Sequence, residues 1–169
     1  MSQFSLGQPE LLKSIALPAD GSETCSQIRP VTALQSSTHD ADVATRAIDG
    51  NVLTFSATVG SETFPWIAVQ LTDDNTLVSV KRVIIINRVT YGNRLRKMQV
   101  FVADHIPTSS GQSFAGPGVQ AIGPLFQGPG TDGQIIEVTS DTAKGSFVVI
   151  QMQGVKDFLQ FAQITTFST

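Results

Sequence analysis

Apolar residues in this chain recur mostly at every second position over short stretches, and the 3.6-residue spacing of an amphipathic helix is scarce. Ile67, Val69 and Leu71 alternate with Ala68 and Gln70, and Met98 to Val102 alternates in the same way. Val78 to Ile86 is a long β-branched run and reads as strand. Phe147 to Met152 is apolar apart from Gln151, the pattern of a strand covered on both faces. Gln134 to Val138 and Phe158 to Phe167 supply two more strands. Gly111 to Gly133 is rich in Gly, Pro, Ser and Gln and reads as surface loop, with a short strand at Val119 to Ile122. Helix is expected only as a turn or two over Pro9 to Leu17 and a single turn at Arg46-Ala47-Ile48. Many short strands between Gly/Pro turns predict an all-β, antiparallel β-sandwich jelly roll. Its helix content should fall below about one-fifth, against a globular average of roughly one-third. Residues 1–30 look less strand-like and form a candidate N-terminal extension or edge element ahead of a β-domain over 31–169.

The chain's 169 residues suit one such domain and suffice for a sizeable core. Charged residues make up 15% and the net charge is −3, with no Lys/Arg block, which argues against a nucleic-acid partner. No apolar run reaches the length of about 18 residues that a membrane-spanning helix needs. Met1 to Asp20 is broken by Gln3, Gln8, Glu10, Lys13 and two prolines, so no signal-peptide core is expected there. Cys25 is the single cysteine, which rules out an internal disulfide and leaves both a reducing and an extracellular location open. No Gly-x-Ser-x-Gly elbow, His-Glu-x-x-His pair or phosphate loop occurs, and the chain reads as noncatalytic.

The segment with the most chemistry is Asn87-Arg88-Val89-Thr90-Tyr91-Gly92-Asn93-Arg94-Leu95. It joins two strand patterns and carries two arginines around one tight turn. On such a loop a planar guanidinium can grip paired oxygens. The plainer reading is that surface arginines are solvated or form weak ion pairs. Both are expected to be exposed. Tyr91 at the tip either stacks on a ligand's apolar face or shields the strands. His39, in Thr38-His39-Asp40-Ala41-Asp42, sits in a loop after an early strand. His105 and Trp66 are expected to be structural and core residues.

This loop resembles the sugar-binding loop of the F-type lectins, or fucolectins, which reads Asn-Arg-x-Asp, a few residues, then Gly-x-Arg-Leu. Asn87-Arg88 and Gly92-Asn93-Arg94-Leu95 match, while Thr90 stands where the family has Asp and the loop is one residue shorter. Further blocks lie in family order. Ala33-Leu34-Gln35-Ser36-Ser37 is similar to Ala-x-Gln-Ser-Ser. Ala47-Ile48-Asp49-Gly50-Asn51 is similar to Ala-Ile-Asp-Gly-Asn, and Pro65-Trp66-Ile67-Ala68-Val69-Gln70-Leu71 to Pro-Trp-Trp-x-Val-Asp-Leu. Leu159 to Thr165 resembles the family's last strand. More distantly, the pattern is similar to that of the discoidin-like coagulation-factor C domains.

The resemblance implies a lectin binding glycans or glycoproteins, with Arg88 and Arg94 as donors and Tyr91, Thr90 and His39 at the rim. The family's third donor, a His upstream of the Pro-Trp motif, is missing, and Thr63 lies near its place. A lost charge-assisted donor costs about 1.5–3 kcal/mol, enough to put fucose specificity in question. The target is therefore read as fucose-like or an anionic glycan. By analogy, a homo-oligomer would cluster weak sites. The resemblance also implies a structural Ca²⁺ on Asp49, the Asn51 carbonyl, the Ala162 carbonyl and Gln163. A hydroxyl from Ser56, Thr58 or Ser61 would complete it, and spacing does not choose among them. Gln163 stands where the family has Glu, which weakens the set. From the residues alone, Asp-Gly-Asn is also simply a good turn.

Overall fold

The structure, a computed structural model, describes residues 24–169. The turn expected over Pro9–Leu17, and most of the 1–30 segment, lie outside the described residues. Twelve strands follow in order: β1 (Ser26–Ile28), β2 (Thr32–Gln35), β3 (Ser56–Ala57), β4 (Trp66–Gln70), β5 (Val78–Ser79), β6 (Arg82–Asn87), β7 (Met98–Ala103), β8 (Val119–Phe126), β9 (Ile135–Thr139), β10 (Lys144–Gly145), β11 (Phe147–Met152) and β12 (Gln160–Ser168). One sheet runs β1-β12-β6-β9, with β3 also on β12; the other runs β2-β4-β11-β7-β8; a small ladder joins β10 to β5. The pairings are antiparallel. The helical pieces among the described residues are two short 3-10 segments, Ala44–Ile48 and Gly92–Arg94. This is the β-sandwich jelly roll that the alternation predicts.

β11 explains its own apolar run. Val148, Ile150 and Met152 point between the sheets and join Ile67, Val69, Val100, Ile85 and Ile164 in the main core. Phe147 and Val149 point the other way, into a second cluster with Ala68, Phe101 and Phe114. That outer face is dry because the 104–118 connection folds back across it. Gln151 holds the connection down: its Oε1 accepts the Phe114 N–H at 2.8 Å, and its Nε2 donates to the Gln112 and Phe64 carbonyls. His105 packs edge-on against Phe114.

Two expectations need correction. The Val78–Ile86 run is not one strand. It turns a corner at Val80-Lys81, where the Val80 N–H donates to Ala143 and the Lys81 N–H to Phe167. β5 thus pairs with β10, while β6 enters the other sheet between β12 and β9. β-branched composition favours extended backbone but carries no sign of a change of sheet. Trp66 is also not wholly core: it is half-buried, packing against the outer cluster while lining a cavity. The strand at Val119 runs on to Phe126, longer than expected.

The registers place four connections at one end of the sandwich. They are 36–65 before β4, 88–97 between β6 and β7, 127–134 between β8 and β9, and 153–159 between β11 and β12. If both faces of β11 are truly covered, shortening either face is costly. Ile150→Ala should lose about 2–5 kcal/mol and Val149→Ala about 2 kcal/mol or more, read from urea midpoints at unchanged slope. A Val149→Ala effect within about 0.5 kcal/mol, the size expected at a solvated surface, would remove the outer cluster from the fold's account.

Candidate functional site

Asn87 ends β6 as a buried amide, and it shapes the arginine loop. Its Nδ2 donates to the carbonyls of Gly92 and Thr131, both at 2.9 Å, and its Oδ1 accepts the Arg88 N–H at 2.9 Å. Asp132 completes the closure by accepting the Gly92 N–H at 2.7 Å. Gly92 must be glycine here, since a Cβ would stand 2.4 Å from the Thr131 backbone. Tyr91 takes the left-handed conformation at φ 56° just ahead of the Gly92–Arg94 turn. Arg88 and Arg94 therefore rise from opposite ends of a loop pinned to its neighbour at 127–134.

Both guanidiniums lie against aromatic rings. Arg88 sits 3.7 Å from the Phe55 ring centroid and 5.1 Å from that of Tyr91. Arg94 sits 4.5 Å from Tyr91 and 4.6 Å from Phe158. The order Phe55, Arg88, Tyr91, Arg94, Phe158 makes one continuous row. Tyr91 is its exposed plate, 58% accessible. Each such contact is worth about 0.5–1 kcal/mol near the surface. Two per arginine roughly offset the ~2 kcal/mol of rotamer freedom that an arginine carries. The donors are thus fixed before anything binds. Both arginines are half-buried, not exposed as expected, because the rings cover their stems.

Neither guanidinium has an acceptor among the described residues, and Arg88 Nε is buried with no hydrogen-bond partner at all. Arg46, Arg82 and Arg96 behave differently: each lies on a carboxylate, Asp42, Glu137 and Asp157 respectively. Burial pulls the Arg88 pKa below its ordinary value, the Asp42 charge opposes that, and Arg94 adds to the lowering. Arg88 nonetheless stays cationic at neutral pH.

The other expected rim residues fall unevenly. His39 packs edge-on against Phe158 at 4.9 Å, with Nδ1 3.6 Å from Asp42 Oδ2, so it stands beside the row. Thr90 is exposed and supplies no contact to either arginine. Thr63 lines a separate cavity. Sequence reading missed Phe55, Phe158, Asp42 and Asp132. They come from three other connections, and only the tertiary fold brings them to the loop.

The Asp49 turn leads through Thr54 to Phe55, the first ring of the row. Asp49 Oδ1 accepts the Asn51 N–H at 2.8 Å, and the Thr54 hydroxyl lies 2.6 Å from Asp49 Oδ2 and 2.9 Å from the Asn51 carbonyl. Gln163 Oε1 accepts the Gly50 N–H at 3.0 Å, and β12 bulges between Phe161 and Gln163, leaving Ala162 without a β6 partner. Asp49, Asn51 and Gln163 are therefore neighbours. Ser61 is not among them: it lines the cavity that Thr63 lines. Ser56 donates weakly to the Phe161 carbonyl and Thr58 accepts the Leu159 N–H. Thr54, the hydroxyl on the turn itself, was missed. No group of three or more His, Cys, Asp or Glu gathers among the described residues. Calcium wants six to eight oxygens, and here one carboxylate and one neutral amide are already engaged by internal donors. As arranged, the set closes as a hydrogen-bonded clasp.

No protein-family model matches the chain, and no curated protein sequence matches it. Solved structures do. The lectin domain of lectinolysin, complexed with Lewis b antigen, is 23% identical over 85% of this chain and 97% of that one, at a TM-score of 0.65. The family 32 carbohydrate-binding module of NanJ from C. perfringens, complexed with galactose, is 22% identical over 85% and 99%, at 0.62. A fucolectin from striped bass (Morone saxatilis) serum is 20% identical over 82% of this chain and 45% of that one, at 0.61. At this identity the likeness carries the fold: the chain is an F-type lectin-like, discoidin-like jelly roll.

The clasp makes a prediction. Gln163→Ala should cost about 1–3 kcal/mol by stranding the Gly50 N–H, to the same extent in calcium and in chelator. The wild type should melt at one temperature in both. A melting point that rises with calcium would instead mean that the turn opens to take the ion expected from the sequence.

Proposed function

We propose that this chain is a noncatalytic carbohydrate-binding module whose ligand sits on Arg88 and Arg94. One observation carries the reading: two half-buried guanidiniums held rigidly by aromatic rings, one with a buried Nε, and neither satisfied by the protein. Leaving a buried donor unpaired costs about 1–3 kcal/mol, and the accessible N–H groups of the two guanidiniums stay free for a bound acceptor. Lewis b and galactose, each held in complex by one of the similar structures, accord with the same class of ligand.

The ligand should offer paired oxygens, as vicinal hydroxyls or a carboxylate do, because the guanidinium fork matches that spacing. Asp42 is the acid nearest in effect to Arg88, and Arg46 already occupies it at 2.7 Å. The row therefore carries an unspent positive charge, which suits a fucose-like sugar or an anionic glycan. Tyr91, half-way along the row and exposed, provides a face for the sugar's C–H surface, with His39 at its edge. Thr90 brings no carboxylate to orient the arginines. That feature, the missing upstream His and the absence of the cysteines that secreted F-type lectins commonly carry favour the rival reading, an interaction module on the same jelly roll.

One site is expected to bind at about 0.1–1 mM, worth roughly 4–5.5 kcal/mol, so a glycan array needs the protein displayed multivalently. Arg88→Ala and Arg94→Ala should each abolish array binding. Arg94→Lys should also fail, since an ammonium cannot reproduce the fork. Binding that survives the double alanine change would place the ligand elsewhere. Silence from every glycan on the multivalent wild type would favour the interaction module.

A further inference from the structure

A second feature at the loop end has the makings of a ligand site, and the arginines take no part in it. A cavity of about 550 Å³ opens between the 61–66 segment, the 107–111 stretch and Lys156. This volume falls in the range of small-molecule sites, about 300–1,000 Å³. Trp66, Glu62, Lys156, Ser36, Ser61 and Thr63 line it. Trp66 is half-buried, so one side of its ring is open to the cavity, and its indole N–H donates to none of the described residues.

Glu62 is set in place rather than loose. Its Oε2 accepts the hydroxyls of Ser36 and Ser37, both at 2.7 Å. Those hydroxyl oxygens in turn accept backbone N–H groups, Ser36 from Trp66 and Ser37 from Val59. Glu62 Oε1 accepts nothing from the described residues, and Lys156 makes no ion pair among them. One fixed carboxylate oxygen, one ammonium and one indole thus face a common space.

The charges select the ligand class. Glu62 and Lys156 cancel, so neither an anion nor a cation gains a net field. The polar lining disfavours a purely apolar guest. A neutral ring with hydroxyls on its rim and C–H on its face meets all three groups. Its hydroxyls donate to Glu62 and accept from Lys156, and its apolar face lies on Trp66. We propose that this cavity is a second carbohydrate site, taking one neutral pyranose ring and working independently of Arg88 and Arg94.

Trp66 is the chain's single tryptophan, so its emission reports this cavity directly. The probes are methyl glycosides of galactose, glucose and fucose, titrated into the intact protein up to about 100 mM, the weak end of single-site binding. At least one should change Trp66 emission saturably, and the Arg88→Ala/Arg94→Ala double variant should give the same curve. Glu62→Gln and the exposed Lys156→Ala should each weaken the curve about tenfold or more, a loss of one charge-assisted hydrogen bond. Lys156→Ala keeps the test sound if Glu62→Gln perturbs the serine hydroxyls. The proposal is overturned if no glycoside gives a saturable change. It is equally overturned if the change disappears in the double arginine variant, or if Lys156→Ala leaves it untouched. Loss of array binding in the arginine variants with the Trp66 response intact would separate the two sites.

Discussion

The Asn87 amide does more for the loop end than any other side chain. At 2% exposure it can use no water, so each of its three hydrogen bonds must come from the protein. Those bonds reach into its own loop and across to the 127–134 connection. They fix where Arg88 leaves β6 and where Gly92 turns the chain back. A shorter side chain at this position would strand the Arg88 N–H, at about 1–3 kcal/mol for a buried group left unpaired, and would leave the Gly92 and Thr131 carbonyls only their backbone donors, the N–H groups of Leu95 and Gln134. The row of rings and guanidiniums is thus downstream of one amide, and Asp132 reinforces it from the second loop. Neither residue touches the space where a ligand would lie.

Much of the fold could be read from alternation, because burial on a pleated sheet is a local matter with period two. β4, β7, β9, β11 and β12 all lie where the pattern places them. β11 could even be read as covered on both faces, since no polar position interrupts it before Gln151. The corner at Val80-Lys81 could not be read. Val80 is as buried as the strand residues around it, and what separates β5 from β6 is which distant carbonyl takes each N–H. Trp66 failed for a related reason. A Pro-Trp motif fixes the start of a strand, but whether one side of the ring stays open depends on the 107–111 stretch far along the chain.

The site was legible in its donors and illegible in their setting. Arg88, Tyr91 and Arg94 stand out because they crowd one short loop. Phe55 and Phe158 look like ordinary core aromatics, and nothing local marks them as supports for a guanidinium. Asp42 and Asp132 look like ordinary loop acids. The Asp49 turn shows the converse. Its motif is plain in the chain, yet the chain does not show that the Gln163 amide oxygen reaches back 113 residues to take the Gly50 N–H.

Arginines without partners are costly to hold in place. Each guanidinium presents five N–H donors, and half-burial removes some of the water that would satisfy them. A protein selected for stability alone would seat them on carboxylates, as it does Arg46, Arg82 and Arg96. It would also spare the aromatic area that Phe55, Tyr91 and Phe158 spend on stacking. Ring contacts fix a cation's position without using its donors, since the attraction acts on the guanidinium face and leaves the N–H edges free. Carboxylate partners would fix the position equally well and consume those edges. The choice of rings over acids is therefore what keeps the accessible guanidinium donors oriented and free, and it is the physical distinction between a surface that merely carries charge and one prepared to receive oxygens.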